Sequence, residues 1–132
     1  MANTFELIAS STVGSGGASS IDFTSIPSTY TDLCLKGSLR SSDAAAFVNY
    51  QVKFNNSGGT AYSVRMVYGT GSAAASGSQS GTAYGDYGFQ DGAGATASTF
   101  ANVELYIPNY AGSNNKSWST DQVQENNATA AY

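Results

Sequence analysis

Residues 21–40 read IDFTSIPSTYTDLCLKGSLR, and their alternation decides the fold class. Ile21 and Phe23 alternate with Asp22 and Thr24, which predicts a short strand. Pro27 breaks the pairing, and Ser28-Thr29 open a polar turn. Leu33, Leu35 and Leu39 then share one face of a longer strand over 32–40. Apolar residues at period two, separated by turn residues, mark half-buried β-sheet. No catalytic constellation accompanies the corner, so this stretch speaks for architecture and not for chemistry.

The same pattern continues outward. Residues 5–8 predict a first strand, followed by a Gly/Ser loop over 10–20. In 47–54, Val48, Tyr50, Val52 and Phe54 face one way, and Phe47, Asn49, Gln51 and Lys53 the other. Residues 55–59, NNSGG, suit a hairpin connection because Asn and Gly accept positive φ cheaply. Tyr62, Val64, Met66 and Tyr68 align in the next run, so 47–68 reads as an antiparallel hairpin. Residues 69–94 are rich in Gly, Ser and Ala and predict a long loop with one short strand near 83–89. A loop of that length usually serves function or mobility. Strands follow at 100–107, ended by Pro108, and at 116–124 around Trp118 and Val123. A turn at Asn126-Asn127 leads into a further start at 128–132. No run supports a helix. The expectation is one all-β domain over 1–132, an antiparallel β-sandwich or jelly-roll of seven to nine strands. A strand begins where the chain stops at Tyr132, which leaves three readings: a truncated chain, a neighbouring subunit that completes the sheet, or a short ordered tail.

Composition narrows function mainly by exclusion. Ser, Thr, Ala, Gly and Asn supply 76 of 132 residues, and charged residues only 11%. Sixteen aromatics (nine Tyr, six Phe, one Trp) separate the chain from disordered sequences, which lack them. The net charge is −4, and the five cations Lys36, Arg40, Lys53, Arg65 and Lys116 are scattered. Nucleic acid and anionic membranes both need clustered positive charge, so neither is an expected partner. The opening MANTFELIAS lacks the cationic and apolar regions of a signal peptide. No run approaches a membrane span of about 20 apolar residues. Cys34 is the single cysteine, excludes an internal disulfide and suits a reducing cytoplasm. Its parity, opposite to Leu33 and Leu35, turns it toward a second layer or an interface, where it reads as a small buried apolar residue.

With no histidine, Ser-His-Asp and Cys-His activation are unavailable, as are the usual zinc sites. Asp86 with Asp91, and Asp22 with Asp32, are the carboxylate pairs a glycosidase would need about 5–9.5 Å apart, but turn chemistry accounts for them more simply. Calcium at Asp86 and Asp91 lacks the spacing of known loops. The glycine pairs at 14–17, 69–71 and 92–94 neither precede a helix nor carry a P-loop lysine. Tyr84, Tyr87, Phe89 and Trp118 remain as a candidate contact surface for protein or sugar, because Tyr and Trp join a large rigid area to a polar tip. No catalytic residue, metal ligand or cofactor site is assigned.

Three segments carry a resemblance: ANTFELIASSTVGSGGASSIDFTSIPSTYTDL at 2–33, LRSSDAA at 39–45, and ANVELYIPNYAGSNNKSWSTDQVQENNATAAY at 101–132. They resemble small β-rich virion proteins of tailed phages, especially those of marine bacteria. Such proteins serve as capsid decoration or as tail and fibre components. The resemblance implies a non-enzymatic structural protein, assembled into a virion in the host cytoplasm, with other virion proteins and its own copies as partners. A capsid decoration (cement) protein is the leading expectation. The alternatives are a tail-fibre or tail-tip module binding host glycan, and a free carbohydrate-binding module. Relatives tend to continue through more strands than this chain, which bears on how the fold closes.

Overall fold

The structure, a computed structural model, describes residues 5–125. It contains seven antiparallel strands in three small sheets and no helix among the described residues. The strands are β1 (Leu33–Leu39), β2 (Phe47–Val52), β3 (Tyr62–Gly69), β4 (Ala74–Thr82), β5 (Gly85–Asp91), β6 (Ala101–Ile107) and β7 (Ser119–Val123). One sheet has the order β1-β6-β7, and the others are the pairs β2-β5 and β3-β4.

β6 is the central strand of the largest sheet, and its sequence shows why. Ala101, Val103, Leu105 and Ile107 are buried, while Asn102, Glu104 and Tyr106 face solvent. Across the ladder, Leu33, Leu35, Gly37 and Leu39 stand opposite Ile107, Leu105, Val103 and Ala101. The Leu face read from the sequence therefore stands beside the buried face of β6, with Leu35 still 36% exposed. Cys34 stands opposite Tyr106 on the other face, beside the Lys36–Glu104 ion pair of 2.8 Å. That pair is solvated, so it adds little stability.

Three expectations are corrected. Residues 5–8 and 21–24 form no strand, although their alternation is real, because no other segment of the described chain pairs with them. A strand needs a ladder as well as a pattern. The 47–68 hairpin does not form: β2 pairs with β5, and β3 with β4. Asn55, Asn56 and Gly59 all have positive φ, as the turn chemistry predicts, but the turn joins strands of different sheets. The 69–94 stretch is no long loop. It holds β4 and β5, and the tight turn at 70–73 is closed by the Thr70 amide donating to the Ala73 carbonyl at 2.9 Å. Gly81 sits at a register shift in the β3-β4 ladder with φ +68°, the left-handed position of a glycine bulge. The start expected at 128–132 and the turn before it lie outside the described residues.

The turn over residues 41–46 lies tightly on 92–95. The amides of Gly92, Ala93 and Gly94 donate to the carbonyls of Ala46, Asp43 and Ala45. A Cβ on Gly92 would approach the Ala45 carbonyl oxygen to 2.1 Å, so only glycine fits there. Arg40 fastens the adjoining turn. Its guanidinium donates to the carbonyls of Thr99 at 2.8 Å, Thr96 at 2.9 Å and Ala95 at 3.3 Å.

The molecule covers itself poorly. Among the described residues the buried large or apolar side chains are Tyr62, Ala101, Val103, Leu105 and Ile107, and the accessible surface is 9237 Å². A compact monomer of this mass exposes about 6500 Å².

Candidate functional site

A solvent-open cleft of about 1190 Å³ lies among β2, β3, β5 and β7. Its walls have an unusual composition. Residues 63–70 all line it without a gap, and so do residues 116–124. Side chains of a strand alternate between two faces, so a wall made of every successive residue is a strand edge. β3 pairs only with β4, and β7 only with β6, among the described residues. The cleft is thus a slot between two strand edges, each with no strand partner on the cleft side.

The β2-β5 pair and Trp118 contribute the aromatic lining: Phe47, Tyr50, Phe89 and Trp118. Phe89 meets Phe47 edge-on at 5.6 Å between ring centroids and Tyr68 at 6.1 Å. Trp118 meets Phe54 at 5.3 Å and Tyr62 at 6.0 Å. Two glycines make room for rings. A Cβ on Gly85 would come 2.7 Å from Trp118 Cζ2, and one on Gly88 would overlap the Tyr50 ring. The Phe89 amide donates to Gln122 Oε1 at 3.0 Å, tying β5 to β7.

The Tyr50 hydroxyl is buried and makes no bond of hydrogen-bonding geometry. Burial pushes its pKa up to about 12, and the neighbouring Thr120 hydroxyl acts weakly the other way. Asp91 is only 2% exposed, and its Oδ2 is likewise without a partner. Desolvation, then Glu104, raises the Cys34 thiol, while Lys36 acts the other way.

Of the four contact residues expected from sequence, Phe89 and Trp118 line the slot. Tyr84 does not. It lies half-buried in the connection from β4 to β5, where its carbonyl accepts the Thr82 hydroxyl at 2.8 Å. Tyr87 falls at the register shift of the β2-β5 ladder, and its side chain lies outside the description. Phe47, Tyr50 and Tyr68 were missed as members of the site. Their strand faces were legible, but the pairing that gathers them was not. Among the remaining carboxylates, Asp22 accepts the Ser20 hydroxyl at 3.0 Å. Asp32 accepts the Tyr106 hydroxyl at 2.6 Å and the Asn109 amide at 2.8 Å. Both therefore serve local structure. No group of three His, Cys, Asp or Glu converges among the described residues.

Comparison with protein-family models, with curated proteins and with solved structures yields no match.

Proposed function

We propose that this chain is a non-enzymatic structural subunit of a tailed-phage virion, and specifically a capsid decoration protein. The observation that carries the reading is surface left uncovered. Phe5, Leu7, Phe47 and Val67 are exposed by 75%, 81%, 59% and 85%. A monomeric soluble protein rarely leaves so much apolar area open, whereas a subunit that functions inside an assembly does. The three small sheets fit the layers of an antiparallel sandwich or jelly-roll that neighbouring subunits close, since two-stranded sheets are marginal by themselves. The segments at 2–33, 39–45 and 101–132 supply the virion part of the reading by their resemblance. Docking would be multivalent, with modest contacts at loops and edges repeated over a symmetric lattice.

The aromatic geometry favours this structural role over glycan binding. Phe89 and Trp118 engage other rings of the same chain and so have less free ring area to offer a sugar. Mass spectrometry of purified particles tests the proposal. Copy numbers in the hundreds fit decoration of a capsid lattice. A few to tens of copies move the protein to the tail, and absence from particles removes both virion roles.

A further inference from the structure

We infer that the slot between β3 and β7 is filled by a strand from a second copy of this chain, donated by the N-terminal segment around Phe5–Ile8. The inference stands on the slot itself and holds or fails independently of the virion reading.

The slot lies between two strands, β3 and β7, that each have a ladder partner on one side only among the described residues. One wall is the edge of β3 continued by Thr70, and the other is the edge of β7 flanked by residues 116–118 and Gln124. Each presents a row of backbone donors and acceptors that a ladder would satisfy. A single inserted strand would pair on both sides and join the β3-β4 pair to the three-stranded sheet. Strand addition of this kind draws affinity from the main chain and specificity from pockets for alternate side chains. The aromatics Phe47, Phe89 and Trp118 offer such pockets.

The donor is identified by what the chain leaves bare. Phe5 and Leu7 are 75% and 81% exposed, in a stretch with no strand partner. They stand two residues apart, so in an extended strand both point to one face, with Glu6 and Ile8 on the other. The segment does not reach its own slot. None of residues 5–32 lines it, and Glu6 lies beside the Tyr30 hydroxyl, whose pKa it helps to raise after desolvation. A second copy is therefore the donor. An aromatic side chain alone buries about 150–250 Å². Two arms exchanged reciprocally double what one arm buries, toward the range of a stable interface, about 1200–2000 Å². A head-to-tail ring uses the same contact.

The test uses the full chain and light scattering after size exclusion, with far-UV circular dichroism to confirm folding. Wild type is expected at a multiple of 13.5 kDa. The double variant Phe5→Asp/Leu7→Asp lacks a donor, and Val67→Lys obstructs the slot. Both replaced surfaces are exposed, so both variants fold, and each alone runs as a monomer. Mixed at concentrations well above those used for the wild type, they form a one-to-one complex through one intact arm and one intact slot, weaker than the wild-type assembly. A monomeric wild type overturns the inference. So does a variant that keeps the wild-type mass, or a mixture of monomeric variants that does not associate. A monomeric wild type destabilised by the donor variant would assign the arm to its own slot, which also overturns exchange between copies.

Discussion

The ring of Tyr50 occupies the space a side chain on Gly88 would need: a Cβ there would lie 1.8 Å from Cε1 of Tyr50. The two residues face each other directly across the β2-β5 ladder, and the register shifts immediately after them. An aromatic side chain laid over a cross-strand glycine covers backbone that glycine leaves bare. It also explains how a sequence as poor in apolar residues as GDYGFQD holds a strand.

Gly88→Ala should displace this ring. Overpacking of a fitted site costs about 1–3 kcal/mol, so the urea midpoint should fall while the slope stays constant. An unchanged midpoint would mean that the ring lies elsewhere in solution.

Tyr50→Phe should cost little at neutral pH, because the hydroxyl it removes is buried and makes no bond of good hydrogen-bonding geometry. Its effect appears in alkali. The folded pKa of about 12 lies above the ordinary value of 10. The contribution is fully present below pH 10 and is lost as pH rises through 12, because the unfolded chain releases this proton first. Denaturation curves between pH 10 and 12 should therefore fall less steeply for the variant than for wild type.

Gly85→Ala should push Trp118 from its seat, since the new methyl would meet Cζ2 at 2.7 Å. Trp118 is the only tryptophan, so its emission reports the change directly. The expected result is a red shift with lowered stability, about 1–3 kcal/mol by the same overpacking argument.

Arg40→Ala should release the 95–99 turn. Hydrogen bonds involving a charged group contribute about 1.5–3 kcal/mol each in favourable settings, and Arg40 reaches three carbonyls at once. Arg40→Lys should restore only part of the loss, because one ammonium lacks the guanidinium fork. Amide exchange at 95–99 should rise in both variants and more strongly in the alanine one.

Asp32→Asn should flatten the acid limb of the stability profile. The Tyr106 hydroxyl, then the Asn109 amide, hold the Asp32 pKa below its usual value. A depressed carboxylate contributes stability above its unfolded pKa, and that contribution is lost as pH falls through the folded value. The difference between wild type and variant should therefore shrink below about pH 4. A constant difference across the acid range would remove Asp32 from the account.

The strands best read from sequence are those whose burial alternates strictly. β6 has four buried residues at period two, and β2 alternates exposed with half-buried residues along its whole length; β1 alternates only from Lys36 onward, although its three leucines keep one parity. β4, with AASGSQSGT, escaped notice because small polar residues show no apolar period. Its strand character comes from pairing with β3. The site was half legible. Phe89 and Trp118 stood out as aromatics in polar surroundings. Phe47, Tyr50 and Tyr68 were read only as strand faces, because membership of the slot depends on which sheets meet.

By itself the sequence determined the class: all-β, without a helix, with turns where Asn and Gly accept positive φ. Those properties follow from side-chain period and backbone sterics, which act over a few residues. Only the tertiary structure decided the partners. It sent β2 to β5 and β3 to β4, left 5–8 and 21–24 without ladders, and opened a slot between β3 and β7. Backbone donors and acceptors are nearly identical along every strand, so sequence pattern specifies that a strand will pair but not with which strand. That choice is made by the complementary filling of space, of which the Tyr50 ring over Gly88 is one instance.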